Sequence, residues 1–281
     1  MKGRVLTAQG GFYDVYAQDG VYTCRLRGKN KQGLRVAVAG DCVDIETAAN
    51  GTGTIEAIHP RKNLLHRPTI ANIDQLLILS ALKDPPTDFM LIDRLLVLCA
   101  HHQIDPLLVF NKLDLSADTR RIKDYYRDFF PTFIISAETG AGIADLSEKL
   151  HQEITALAGH SGVGKSSLIN RLTGISEQST AAVSDKLRRG RHTTRASRFI
   201  PYREGFLVDT PGFNVLHLPE DLSALQLAGL YPDFSPYTDE CRYRDCLHRN
   251  EPDCAVKAAV EADKISADRY HNYCLLLSEL N

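Results

Sequence analysis

Residues 159–167 read Gly-His-Ser-Gly-Val-Gly-Lys-Ser-Ser, and this stretch decides the fold class. Gly159, Gly164, Lys165 and Ser166 fall on the spacing G-x-x-x-x-G-K-[ST], the phosphate loop. Glycine-rich backbone can wrap a di- or triphosphate so closely that successive N–H groups point inward, here along His160, Ser161, Gly162 and Val163. Lys165 adds a cation at the β/γ oxygens, Ser166 offers a hydroxyl to Mg²⁺, and Ser167 completes the motif. The flanks agree: Ile154–Ala158 is a predicted strand, and Ser166–Leu172 opens a predicted helix whose N-terminus favours anions.

The next signal names the base. The apolar run Leu107–Phe110 ends in Asn111-Lys112-Leu113-Asp114, N-K-x-D at the C-terminal end of a predicted strand, where open α/β sheets place ligands. A carboxylate at Asp114 can accept from both N1–H and the exocyclic amine of guanine, a donor pair that adenine lacks. Ser136-Ala137 follows the predicted strand Phe133–Ile135 and suits a backbone N–H contact to guanine O6. Downstream, Phe206–Gly212 carries D-x-x-G, with Asp209 suited to the Mg²⁺ surroundings and Gly212 to the γ-phosphate. Between it and the phosphate loop, Ser179–Phe199 contains Gly190–Thr194 (GRHTT), whose Thr194 could reach Mg²⁺ and the γ-phosphate only in the triphosphate state. The segment also holds Lys186, Arg188, Arg189, Arg191, Arg195 and Arg198 against one acid, Asp185, a pattern that points to RNA.

The order of these motifs is unusual. N-K-x-D and S-A, at 111 and 136, precede the phosphate loop at 159, whereas common GTPases run the other way. The same sheet forms if the chain is circularly permuted. Phe213 then stands where Ras-like GTPases place the glutamine that orients the attacking water. Slow intrinsic hydrolysis is expected, with the water handled by His192 or by a group from a partner.

Beyond this core, alternating runs at Val21–Leu26, Leu34–Val38, Val43–Glu46 and Gly53–Ile58, with Gly-rich turns between them, predict a small OB-type β-barrel. Arg61–Pro68 reads as its exit linker. Strand–helix alternation from about residue 70 predicts a mainly parallel α/β sheet, with helices at Asp88–His102, Ala117–Phe130 and Ile143–Leu150. A helix over Asp263–Leu280 belongs to a small, mainly helical C-terminal part. The expected domains are therefore 1–62, 63–218 and 219–281.

In the last domain Cys241, Cys246, His248 and Cys254 lie within fourteen residues and match a closed Cys₃His zinc site. The segment is too short for its own core, which favours a structural metal staple. Cys24, Cys99 and Cys274 read as core thiols.

The 281 residues carry 33 Lys+Arg against 35 Asp+Glu, and 43% are hydrophobic, ordinary for a globular protein. The balance hides a gradient: residues 1–70 hold ten basic and six acidic side chains, residues 221–281 six and eleven. Seven Cys are too few for a secreted disulfide scaffold. No apolar run approaches the ~18 residues of a membrane span, so a cytoplasmic location and no membrane partner are expected.

Taken together, NKLD (111–114), SAETG (136–140), GHSGVGKSS (159–167), GRHTT (190–194), DTPGF (209–213) and the Cys/His set resemble the circularly permuted, ribosome small subunit-dependent GTPase A family. The likeness covers nearly the whole chain. It implies a GTPase that binds the small ribosomal subunit and its rRNA, acts late in subunit maturation, and is stimulated by the subunit. It also implies His192 as a catalytic candidate, one structural zinc, Mg²⁺ with GTP, GTP and GDP as bound nucleotides and a monomer. Members often carry a longer basic tail before the barrel, whereas here the barrel is expected to begin at Arg4. Two other readings compete. One is a nucleotide-gated RNA-binding switch that hardly turns over. The other is a small-molecule kinase, disfavoured by N-K-x-D with S-A.

Overall fold

The computed structural model of the chain describes residues 1–18, 20–27, 36–48, 50–116, 118–126, 129–174, 197–210 and 217–280. The chain threads through two compact units: residues 1–76, 143–158 and 166–213 form one, and 77–142, 159–165 and 214–281 the other.

The first unit opens with a closed five-stranded barrel. Strands β1 (Lys2–Gln9), β2 (Phe12–Ala17), β3 (Gly20–Leu26), β4 (Cys42–Thr47) and β5 (Thr52–Ile58) run in the order β1-β2-β3-β5-β4, as in an OB fold. Alternation delivers one side chain in two to the interior: Tyr13 and Val15, Cys24, Val43 and Ile45, and Ile55 make its core. The barrel opens at Lys2, just ahead of the expected Arg4 and well ahead of the first alternating run at Val21. Strand β1 escapes a period-two reading because its register shifts at a bulge between Val5 and Thr7, where the adjacent Val5 and Leu6 are both buried.

Two further expectations fail here. Of Leu34–Val38, residues 36–38 are described and are not strand. The buried Asp41 carboxylate takes the Val38 N–H at 2.8 Å, which favours a turn. Arg61–Pro68 is not a bare linker either: β6 (Leu64–His66) and β7 (Thr69–Ala71) form a hairpin that buries Leu65 and Ile70. Arg61 donates to both oxygens of Asp41, at 2.7 and 2.8 Å, and fastens this stretch to the barrel.

The same unit carries β11 (Ile154–Ala158), β12 (Arg198–Tyr202) and β13 (Gly205–Asp209), with β11 parallel to β13 and β12 antiparallel at the edge. The end of the Arg-rich segment is thus strand, and Arg198 lies on its exposed side. Gln75, the first residue of β8 (Gln75–Ala81), donates to Thr155 of β11. Helices α3 (Ile143–Lys149) and α4 (Lys165–Thr173) follow the predicted spans within a residue.

In the second unit β8 lies beside β9 (Asp105–Asn111), which pairs in parallel with β10 (Thr132–Ile134). Every residue of β8 is buried, so its centre, Leu76–Leu79, reads as a continuous apolar run rather than an alternating one. Helix α1 (Phe89–His102) begins at the N-cap Asp88, whose carboxylate accepts the Leu91 N–H at 2.9 Å. Helix α2 (Arg120–Tyr126) is shorter than its prediction. The C-terminal part contains α5 (Ala224–Gly229), α6 (Ser235–Thr238), α7 (Ala255–Glu261) and α8 (Ala267–Glu279) around a core of Leu227, Tyr231, Phe234, Tyr273 and Leu276, which Val97 of α1 joins.

A buried ion cluster lies against this core. Arg269 of α8 donates to Asp233 at 2.9 Å and to Asp93 of α1 at 2.5 Å, all three nearly fully buried. Asp93 also accepts from Tyr125 and Asn272, and Tyr126, Tyr231 and Phe130 present ring faces to the guanidinium. Burial alone would lower the pKa of Arg269, but the two carboxylates more than offset it and hold it above the ordinary value. Replacing Arg269 with Met leaves two buried carboxylates uncompensated and should cost about 3–5 kcal/mol. The exposed pair Arg120–Asp118 is the control. Thermal unfolding should show a large drop for Arg269→Met and no resolvable change for Arg120→Ala.

Candidate functional site

The phosphate loop needs its glycines for space as well as for conformation. Gly159 and Gly164 sit at φ +143° and +99°. A Cβ on Gly159 would come within 2.1 Å of the Leu79 carbonyl oxygen, and one on Gly164 within 2.3 Å of the Asn111 amide nitrogen. Lys165 curls back so that Nζ donates to the carbonyls of Gly159 at 2.6 Å and His160 at 2.7 Å, which holds its ammonium over the loop. Ser161 is exposed, Val163 is buried as the loop's anchor, and Ser166 and Ser167 present exposed hydroxyls at the start of α4.

Asn111 joins this loop to the base-recognition motifs. Its Nδ2 donates to the Val163 carbonyl and its Oδ1 accepts the Ala137 N–H, both at 2.9 Å. The N–H that the sequence reading assigned to the base therefore has a protein acceptor. The same side chain, buried, fixes the positions of both loops. Ser136, also buried, donates its hydroxyl to Asp114, whose carboxylate is exposed. Residues 136–141 close on themselves, since Ser136 N–H donates to Ala141 O at 3.0 Å and Gly140 N–H to Ser136 O at 2.8 Å. Lys112 lies at φ +67°, a strained conformation of the kind found at binding sites, and its ammonium donates to the Asp84 carbonyl. Leu113 donates its N–H to Ile135 O and holds the motif against the strand end.

Asp209 ends β13 with an exposed carboxylate, and Thr210 after it donates to Leu157 O of β11. Gly212, Phe213, Lys186, His192 and Thr194, with Arg188, Arg189, Arg191 and Arg195, lie outside the described residues.

The second centre is the Cys/His cluster. The ligand atoms of Cys241, Cys246, His248 and Cys254 all lie within 4.8 Å of one another. Cys241 Sγ is 3.6 Å and Cys254 Sγ 3.4 Å from His248 Nδ1, and the two sulfurs are 3.9 Å apart. A tetrahedron at ordinary Zn–S and Zn–N lengths has S···S edges of about 3.8 Å and S···N edges of about 3.6 Å. The residues fit one zinc. Burial pushes the Cys246 thiol up to about 12 and lowers the His248 ring, so without a cation that thiol stays protonated and the imidazole neutral.

Sequence reasoning missed the residues that shape this loop. The Glu251 carboxylate accepts the N–H groups of Leu247, Arg249 and Asn250, and Tyr270 and Tyr273 of α8 donate to the carbonyls of His248 and Leu247. A carboxylate followed by a helix carries no motif, so nothing local marked Glu251. Of the other thiols, Cys24 and Cys99 are buried and Cys274 is half-buried.

Among the described residues no helix is long and apolar enough to cross a membrane. Comparison with known proteins matches residues 2–55 to the RsgA N-terminal domain and residues 58–219 to the RsgA GTPase model. The chain is 42% identical to a small ribosomal subunit biogenesis GTPase RsgA of Moorella thermoacetica and 40% to one of Clostridium beijerinckii, covering all of this chain and 97% of each relative. Its fold matches YjeQ from Thermotoga maritima with a TM-score of 0.82 at 35% identity, covering 99% of this chain and 98% of that one. It also matches YloQ, described as a circularly permuted GTPase, with a TM-score of 0.81 at 30% identity, covering 99% and 94%. Phosphate loop, guanine motifs in permuted order, barrel and Cys₃His cluster all recur on one chain, and this chain belongs to the RsgA GTPase family.

Proposed function

We propose that the chain binds the small ribosomal subunit through its rRNA and hydrolyses GTP to GDP and phosphate late in subunit maturation, with the subunit stimulating turnover. The observation that carries the nucleotide half of this reading is Asn111, bonded at once to the phosphate loop and to the S-A loop. The ribosomal half rests on the family and on the names its relatives bear. We take 1–62, 63–218 and 219–281 as the functional segments, the protein as a cytoplasmic monomer, and the basic barrel and switch segment as the RNA-facing parts.

In this reading residues 159–167 hold the phosphates through backbone N–H groups and Lys165, and Asn111, Lys112, Leu113, Asp114, Ser136 and Ala137 hold and select guanine. Mg²⁺ bound with GTP neutralises charge on the phosphate oxygens, and Ser166 and Thr194 would hold it with Asp209 nearby. Gly212 serves the γ-phosphate. His192 orients the attacking water in place of the side chain that Phe213 cannot supply. Zinc on Cys241, Cys246, His248 and Cys254 is structural, because four protein ligands leave no open position.

Three measurements test this. Competition binding should show rejection of ATP by roughly 10⁴-fold, and Asp114→Asn should move the preference toward xanthine nucleotides. ATP competing as well as GTP would refute the base assignment. Elemental analysis of undenatured, unchelated protein should find one zinc per chain. Cys246→Ser should lose the metal and unfold the C-terminal part, since metal binding supplies folding free energy in such units. Hydrolysis should be slow alone and rise on adding small subunits, with the stimulation falling steeply as salt rises. His192→Ala should remove most of that stimulated rate and leave nucleotide affinity close to the parent's. Full stimulation of that variant would exclude His192 from the chemistry.

A further inference from the structure

The segment between β8 and α1, residues 82–88, carries no motif, yet it is fastened both to N-K-x-D and to the phosphate loop. Leu82 donates its N–H to Asn111 O at 2.9 Å, and the Asp84 carbonyl accepts from Lys112 of N-K-x-D. Pro85 lies beside the phosphate loop, with its Cδ 3.8 Å from where a Cβ on Gly162 would be. Thr87 donates to Ala81 O at 2.9 Å and tightens the turn. Asp88 then does two things at once. One carboxylate oxygen caps α1 by accepting the Leu91 N–H, and the other lies 2.8 Å from Nε2 of His160, the second residue of the phosphate loop.

A carboxylate is an acceptor only, so His160 Nε2 carries the proton in this pair. Burial by itself would raise the Asp88 carboxyl, but the His160 ring and the Leu91 N–H outweigh it and hold it below the usual carboxylate range. Asp88 is thus a carboxylate at neutral pH. The His160 carbonyl, in the same residue, is one of the two that hold Lys165 Nζ. Fixing the His160 ring therefore fixes a carbonyl on which the loop's lysine rests.

We propose that Asp88 is a positioning residue for the phosphate loop, acting through the His160 side chain, so that the segment 82–88 ties the guanine-recognition motif to the phosphate-binding backbone. The proposal rests on the nucleotide-site reading above and adds a residue that no motif contains. Helix capping is the competing explanation for Asp88, and the two roles separate by length. A serine at this position still caps α1 but is too short to reach His160.

The test is GDP affinity by calorimetry on the full chain, for the parent, Asp88→Ser, His160→Ala, the double variant and His160→Gln, each with its thermal midpoint. Losing a charge-assisted hydrogen bond should weaken GDP binding on the order of tenfold in each single variant. The double variant should be no weaker than either single, because both remove the same bond. His160→Gln keeps a donor for Asp88 and should recover most of the affinity. Asp88→Ser should melt close to the parent. Parent-like affinity in Asp88→Ser, or losses that multiply in the double variant, would overturn the proposal. If Asp88→Ser fails to fold, parent-like affinity in His160→Ala, which leaves Asp88 in place, overturns it equally. A parent chain that does not bind GDP would overturn the nucleotide reading and this proposal with it.

Discussion

The Asn111 side chain is the bond on which the rest of the candidate site depends. One amide, buried at the end of β9, donates to Val163 O and accepts from the Ala137 N–H, so two loops far apart in sequence share a single fixed point. Burial makes the arrangement stringent, because losing either partner would strand a polar atom away from water. It also explains the glycine at 164, where any side chain would push into the same amide. A site for a nucleotide must set base and phosphates at a fixed separation, and this amide sets it with protein groups alone.

The C-terminal part solves a different problem, that of holding a short, polar, Cys-bearing loop in place. The Cys/His set has the dimensions of a zinc tetrahedron, and Glu251 collects three backbone N–H groups that the loop would otherwise leave unpaired. Tyr270 and Tyr273 hold the loop's carbonyls from α8, and Arg269, the residue just before Tyr270, reaches Asp93 of α1. The helix that supports the Cys/His loop is therefore the one anchored to α1. A buried guanidinium between two carboxylates is not cheap, and it pins α8 against α1 in one orientation that apolar packing alone would leave less defined.

Much of this could be read from residue order. The phosphate loop, N-K-x-D, S-A and Cys₃His motifs are local, because each chemistry needs several groups within a few residues. Their order along the chain was enough to indicate the permutation. The barrel was readable where strands alternate cleanly, as at Val21–Leu26, and was misread where they do not. A bulge between Val5 and Thr7, where both Val5 and Leu6 are buried, hid β1. The carboxylate of Asp41 turned Val36–Val38 away from strand, and the β6–β7 hairpin was too short to register a period.

Fold class, permuted motif order, the guanine and phosphate motifs and the Cys₃His pattern are legible in residue order, because these are written in residue types at short spacing. Which side chains hold those motifs in place emerges from packing alone. Asp88 meets His160 across 72 residues, and Asp93 meets Arg269 across 176. Neither pair leaves a periodic or compositional trace, since a long-range polar bond depends on where two elements pack and not on what surrounds either residue in the chain.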